Sequence, residues 1–173
     1  PEFLKELTKK HDAYVDTFRG TDGKLPPMMQ LKRTHTGFVV ANARAIVAGE
    51  AFDPEAARAA ECAALLHDTG RYEQLKRYNT FRDSDSVDHA VFSHDIVKEL
   101  GRLDALPPAE KDAILTAVLV HNRREIPADL DPLTGRAAHA VRDADKLDIF
   151  RVLEDQVDHT DWRKDSRAFW NLA

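Results

Sequence analysis

The 173-residue chain has a composition that excludes several classes of protein. Its 43% hydrophobic and 32% charged residues are the balance of a globular protein, and its length favours one domain over residues 1–173. Only 7 Gly and 8 Pro occur, which excludes fibrous and low-complexity classes. The formal net charge of −5 argues against a nucleic-acid polymer as partner, because such partners usually need a clustered basic surface.

The sequence predicts neither a membrane span nor an export signal. It contains no run of about 18 apolar residues, and its first segment, PEFLKELTKK, lacks the basic-then-apolar layout of a signal peptide. The single cysteine, Cys62, cannot form an internal disulfide, which suits a reducing compartment. We therefore expect a cytoplasmic protein that does not bind membranes.

Apolar residues recur at helical spacing along most of the chain, and no segment alternates as a strand would. This pattern predicts an all-α fold. The first helix would carry Leu4, Leu7 and Val15 on one side, and the segment GTDGKLPP, with two glycines and two prolines, would follow it as a loop.

The second helix is expected over about 31–48, and Asp53 and Pro54 should begin the third. The carboxylate of Asp53 can accept hydrogen bonds from free helical amides, and Pro54 suits the first helical position. Gly70 is predicted to end this third helix. The following segment, RYEQLKRYNTFRDSDS, has no clear period and is interpreted as a substrate loop or a short embedded helix.

Three more helices are predicted in the second half. The fourth should cover about 86–100, the fifth should begin at the Pro-Pro pair before residue 109, and the last should cover about 137–158, with a loop over 122–135. Three aromatic side chains near the C-terminus are expected to pack on the bundle rather than stack on bases. They are Trp162, Phe169 and Trp170.

Histidines on four of the predicted helices face the interior. His35 shares a helix face with Val39, and His89 lies on an apolar stripe of the fourth helix. His67 and His121 each follow directly on an apolar run, ALL and LTAVLV. The chain therefore directs four imidazoles from separate segments toward its core.

Two aspartates accompany these histidines. Asp68 follows His67, and Asp145 has Val141 and Ile149 at helical spacing on either side. A buried carboxylate is costly unless it pairs or binds a metal, and any one of these residues alone could be satisfied by ordinary hydrogen bonds. The four histidines and two aspartates together are better satisfied by a divalent ion than by hydrogen bonds alone, because such an ion binds nitrogen and oxygen ligands at the same time. The candidate metal ligands are His35, His67, Asp68, His89, His121 and Asp145.

The order of these six residues resembles the HD-domain superfamily of metal-dependent phosphohydrolases over about residues 31–155. The phrases THTGFVVANA, ALLHDTGR, VDHAVFSHDIV and RDADKLDIF are similar to that family's first-histidine, His-Asp, third-histidine and closing-aspartate segments. A lone His-Asp pair carries no weight, since a second one occurs at His94 and Asp95.

The resemblance implies an HD-domain helical bundle, with N- and C-terminal helical segments flanking the matched part. It also implies that His35, His67, Asp68 and Asp145 bind one metal ion. Where a second ion is present, His89 and His121 would hold it and Asp68 would bridge the pair.

The implied activity is hydrolysis of a phosphomonoester of a nucleotide or a similar small metabolite. A divalent ion lowers the pKa of bound water toward neutrality, so that hydroxide serves as nucleophile. One or two ions are expected. Mixed imidazole and carboxylate ligands favour Mn or Fe in our interpretation, with Co, Ni, Zn and Mg possible.

Arg71 follows Gly70 where many members of the resembled family carry a lysine, so we assign it, with Asp68, to catalysis and to binding the phosphate. A surface ion pair is an equal alternative for Arg71. Further substrate-binding candidates could line the mouth of the site. They are Arg77, Arg82, Asn122 and Arg123.

Two other functions remain open from the sequence. The same ligand set resembles the di-iron oxygenases built on the HD scaffold, and the bundle could also be a non-catalytic module that binds a nucleotide or a partner protein. A homodimer is possible, because related domains often pair.

Overall fold

The computed structural model describes the backbone of residues 2–159 and the side chains of residues 2–151. In this part all regular structure is helical, which confirms the all-α class. The helices are α1 (Glu2–Asp16), α2 (Pro27–Gly49), α3 (Pro54–Leu66), α4 (Thr69–Tyr78), α5 (His89–Glu99), α6 (Pro108–Val120) and α7 (Pro132–His159). A short 3-10 turn, Asp83–Asp85, lies between α4 and α5. The predicted packing of Trp162, Phe169 and Trp170 lies outside the described residues.

Helix α7 forms the centre of the bundle and packs against α2, α3 and α6. Helix α3 in turn contacts α1, α2 and α6, so it is surrounded on several sides. Its buried face consists largely of small side chains, which allows neighbouring helices to approach closely. These side chains are Ala56, Ala59, Ala60, Ala63 and Ala64.

The starts of the helices follow the signals in the sequence. The Asp53 carboxylate accepts hydrogen bonds from the amides of Glu55 (3.1 Å) and Ala56 (2.9 Å), as predicted for α3. Asp88 caps α5 in the same way, through Ala90 N at 2.9 Å. These caps fix where the ligand-bearing helices begin.

The prediction that Gly70 ends the third helix is wrong. Helix α3 ends at Leu66, and Gly70 lies in the first turn of α4. A Cβ atom on Gly70 would lie 2.7 Å from the backbone nitrogen of Ser93 and 3.0 Å from the carbonyl carbon of Phe92. Glycine is therefore needed for the close approach of α4 to α5 rather than for a helix end.

Two other boundaries differ from the sequence prediction. The segment after Gly70 is helical as far as Tyr78, so the embedded-helix alternative describes its first half, and Asn79 ends it in a left-handed conformation at φ 55°. The last helix begins at Pro132 rather than 137, because Asp131 caps it through Leu133 N at 3.0 Å. The Asp-Pro pair here repeats the signal at the start of α3.

Among the described residues, no helix combines the length and the apolar character that a membrane crossing requires.

Candidate metal centre

The break between α3 and α4 allows two neighbouring side chains to reach the same point. His67 and Asp68 lie between Leu66, where α3 ends, and Thr69, where α4 begins. The Asp68 backbone, at φ −105° and ψ 17°, departs from helical geometry. Both side chains are buried, His67 completely. An unbroken helix would point adjacent side chains about 100° apart.

Four of the six candidate ligands form a tight group. His35 Nε2 lies 2.9 Å from Asp145 Oδ1, 3.3 Å from His67 Nε2 and 3.6 Å from Asp68 Oδ2. His67 Nε2 lies 3.4 Å from Asp68 Oδ2 and 3.7 Å from Asp145 Oδ1. Bonds of about 2.0–2.2 Å to a divalent ion place neighbouring ligand atoms roughly 3 to 3.5 Å apart. The spacing therefore fits a metal site.

The other two histidines lie on the far side of Asp68. The rings of His89 and His121 pack edge to face, with centroids 5.1 Å apart, and His121 contacts the ring of His67 at 5.0 Å. His89 Nε2 is 3.9 Å from Asp68 Oδ1. His67, Asp68 and His121 form a second group whose ligand atoms lie within 4.8 Å of one another. Asp68 thus faces His35 and His67 through Oδ2 and His89 through Oδ1.

Two ligand histidines are fixed by backbone carbonyls three residues earlier. The Nδ1 of His67 pairs with Ala64 O at 2.8 Å, and that of His121 with Val118 O at 2.7 Å. A carbonyl only accepts, so Nδ1 carries the proton and Nε2 keeps its lone pair toward the cluster. The Nε2 of His121 is buried and has no hydrogen-bond partner among the described residues. An inward lone pair with no donor is what a metal ligand requires.

The other two ligand histidines are held by carboxylates. His35 Nδ1 lies 2.6 Å from Asp148 Oδ2, and His89 Nδ1 lies 2.6 Å from Asp83 Oδ2. Carboxylate partners of this kind orient metal-binding imidazoles and increase their basicity. Burial alone would lower the pKa of His35, but its bonds to Asp145 and Asp148 raise it.

The electrostatics keep His121 neutral. Burial, reinforced by the nearby rings of His67 and His89, lowers the pKa of His121 to about 3. At physiological pH its ring is therefore uncharged, and a neutral imidazole is the form that binds metals.

The two candidate carboxylate ligands are ionised despite their burial. Burial alone would raise the pKa of Asp68, but Lys32 and His67 lower it well below its usual range. For Asp145 burial has the same tendency, and the hydrogen bond with His35 outweighs it, so that the pKa falls. Both groups are available as anionic ligands at neutral pH.

Arg71 lies beneath the segment after α4 and is only 4% exposed. Its Nη1 donates to Gln74 Oε1 at 2.8 Å, to Phe81 O at 2.7 Å and to Asp83 Oδ1 at 3.1 Å. Its Nε lies 3.4 Å from Asp68 Oδ1 but makes no hydrogen bond. The guanidinium is therefore fixed beside the cluster, and a surface ion pair does not describe it.

The other four substrate-binding candidates are more distant from the cluster. Within the described residues, no hydrogen bond or ion pair joins their side chains to a candidate ligand. Arg77 pairs with Glu73 at 2.8 Å, and Arg82 with Asp85 at 3.4 Å, both at the exposed surface. Asn122 and Arg123 are exposed directly after His121. Their role in substrate binding stays a prediction.

Sequence reasoning missed three polar residues that contact the cluster. Asp148 lies three positions after Asp145, and Lys32 three positions before His35, so helical spacing alone could have indicated both. Asp83 carries no such signal, because it lies in the 3-10 turn between α4 and α5, outside the helix that begins at His89.

The comparison with protein families gives a match that includes this cluster. The HD domain family model matches residues 33–149, which include all six candidate ligands. The comparison with curated proteins gives no match, and neither does the comparison with solved structures. The match covers well over half of the chain and coincides with the helices that carry the cluster, so the chain belongs to the HD-domain family.

Proposed function

We propose that the protein is a metal-dependent phosphohydrolase that acts on a phosphomonoester of a nucleotide or a similar small metabolite. The observation that carries the proposal is the convergence of four imidazoles and two carboxylates, with His121 Nε2 buried and unpartnered among the described residues. Two cationic side chains, Lys32 and Arg71, lie against Asp68, which favours an anionic substrate. Membership of the HD-domain family supports the metal-dependent hydrolase class.

The protein's own residues would hold the ions in position and direct positive charge toward the substrate. When bound, one or two divalent ions would lower the pKa of a water molecule and polarise a phosphoryl oxygen. Asp68 would ligate through both oxygens, and Arg71 would direct donors toward an anion from a fixed position. The four Nδ1 contacts hold the imidazoles in place before any ion binds, so little reorganisation is needed.

We favour Mn or Fe as the resident metal. Imidazole combined with carboxylate suits first-row divalent ions, and Co, Ni, Zn and Mg would fit the same ligand types. The formal charge of −5 and the buried position of Arg71 support a small substrate rather than a nucleic-acid polymer.

The direct test assays the purified protein for metal content and then for phosphate release from a panel of nucleoside monophosphates with added Mn²⁺. We expect phosphate release that a chelator abolishes. Oxygen uptake with ferrous iron and no phosphate release would favour the di-iron oxygenase instead. Tight nucleotide binding without either activity would favour a non-catalytic module.

Matched variants connect the activity to the site. His67→Ala and Asp68→Ala should each abolish metal binding and phosphate release. The second His-Asp pair of the chain provides the control, because His94 Nδ1 pairs with Asp95 at 2.8 Å on the surface and with no other described residue. His94→Ala should leave both properties unchanged, and normal turnover in His67→Ala would contradict the assignment.

A further inference from the structure

Lys32 lies one helical turn before His35 on α2, and its ammonium reaches the metal centre. Its Nζ is 2.8 Å from Asp68 Oδ2, and the lysine side chain is 12% exposed. The same oxygen faces the Nε2 atoms of His35 and His67. The ammonium therefore contacts the carboxylate oxygen that we assign to a metal ion.

Phe81 brings Lys32 and Arg71 together. The Lys32 Nζ and the Arg71 Cζ each lie 5.6 Å from the centroid of the Phe81 ring, which is 4% exposed. Cations at this distance from an aromatic ring are attracted to its face. Both cations also approach Asp68, so two positive charges share one carboxylate.

The donors of Arg71 are only partly used. Its Nη1 donates to three acceptors, but its buried Nε makes no hydrogen bond to a described residue. A buried donor of this kind indicates a missing acceptor, because buried polar groups are normally satisfied. An oxyanion beside Asp68 would supply that acceptor.

Lys32 would favour a different position if Asp68 held a divalent ion. The carboxylate of Asp68 would then share its negative charge with the ion, and the like charge of the ion would weaken the pair between Lys32 and Asp68. Lysine is a mobile point charge on a flexible stem, whereas the Arg71 guanidinium is fixed by Gln74, Phe81 and Asp83. Lys32 is therefore the side chain that can move to a new anion.

We propose that Lys32 and Arg71 form a subsite for the phosphoryl group, and that metal binding transfers Lys32 from Asp68 to that group. The subsite rests on the proposed phosphohydrolase function. It assigns Lys32 two opposite effects: the lysine competes with the metal for Asp68 and assists the binding of the anion.

The test is calorimetric titration of Lys32→Gln, with Lys146→Gln as control. Lys146 adjoins the ligand Asp145 but is exposed, so its variant removes the same charge without losing a contact at Asp68. We expect Lys32→Gln to bind Mn²⁺ several-fold more tightly and, once loaded and freed of excess metal, to bind inorganic phosphate about tenfold more weakly. Lys32→Arg should restore part of the phosphate affinity, and Lys146→Gln should match the wild type.

Other outcomes would overturn the subsite. Equal phosphate affinity in Lys32→Gln and the wild type would show that Lys32 does not contact the anion. Weaker Mn²⁺ binding in Lys32→Gln would show that the lysine merely supports Asp68. If the wild type hydrolyses nucleotides while Lys32→Gln keeps its KM, the subsite alone fails. If the loaded wild type neither hydrolyses the panel nor binds phosphate, the proposed function fails with it.

Discussion

The Nδ1 atoms of the four candidate ligand histidines divide into two groups by partner. His67 and His121 use backbone carbonyls, which no side-chain substitution removes. His35 depends on the Asp148 carboxylate, which Arg151 also contacts through Nε at 2.5 Å. The second group is therefore open to test by mutation.

Asp148→Asn should weaken metal binding without removing a ligand. The amide cannot accept as strongly from His35 Nδ1, so the imidazole loses orientation and basicity, and Mn²⁺ affinity should fall by about 10- to 100-fold. Asp143→Asn on the same helix is the control, because Asp143 is exposed and, within the part of the chain that the structure describes, pairs with Arg142 alone. Calorimetric titration measures both variants, and unchanged affinity in Asp148→Asn would contradict the positioning role.

His121→Ala tests the second metal ion. This variant removes the unpartnered Nε2 on the far side of Asp68, while the group of His35, His67, Asp68 and Asp145 stays complete. If the wild type binds two Mn²⁺ ions per chain, we expect the variant to bind one. An ion count unchanged from that of the wild type would mean that His121 is a core residue and not a ligand.

His11, on α1, should make the free energy of unfolding depend on pH. Burial lowers its pKa to about 4, and its ring makes no hydrogen bond to a described residue. In the unfolded chain His11 has a pKa of about 6.5 and binds a proton more readily than in the folded chain. The contribution of neutral His11 to the free energy of unfolding is therefore complete above pH 6.5 and is lost as the pH falls toward 4. The full loss amounts to about 3 kcal/mol.

The measurement for His11 is urea unfolding between pH 4.5 and 7.5 of the wild type and His11→Phe. Phenylalanine keeps a ring of similar shape against Tyr72, whose centroid lies 6.3 Å away. The variant should lose less stability on acidification than the wild type. Parallel pH profiles for the two proteins would show that His11 does not titrate with a lowered pKa.

At the scale of the helices, the close contact between α4 and α5 depends on Gly70. Gly70→Ala would push a Cβ into the Ser93 backbone, and the hydrogen bond from Gly70 N to Ser93 Oγ, at 2.9 Å, would be strained. We expect a loss of about 1–3 kcal/mol in the free energy of unfolding. Gly37→Ala is the control, because no described atom beyond its chain neighbours and its own helix backbone lies within 4 Å of its Cβ position, and it should stabilise α2 by about 0.5–1 kcal/mol. Equal stability of the two variants, measured by denaturant titration, would contradict this account.

The helices show which structural features local sequence signals can predict and which they cannot. Local signals predicted the Asp53 cap and the helical class, because capping and periodicity act within one turn. The role of Gly70 could not be predicted, since it depends on Ser93, 23 residues later in the chain. An isolated glycine fits a helix end and a close contact equally well, and only the tertiary structure distinguishes them.

At the scale of the whole molecule, the sequence predicted the residues of the cluster better than their partners. Inward spacing and family resemblance identified all six candidate ligands, because each lies on an apolar face or at the end of an apolar run. Lys32 and Asp148 lie at helical spacing from the ligands His35 and Asp145 but were not singled out, and Asp83 has no such spacing to His89. Their roles depend on how α2, α7 and the segment after α4 pack together.

If the six residues hold metal, a crystal structure of the protein grown with Mn²⁺ will show the ions among them. We predict anomalous peaks for one or two ions, the first about 2.0–2.3 Å from ligand atoms of His35, His67, Asp68 and Asp145. A second ion would lie between Asp68, His89 and His121. Crystals saturated with Mn²⁺ that show no peak at this cluster, or show the ion bound only elsewhere, would contradict the account.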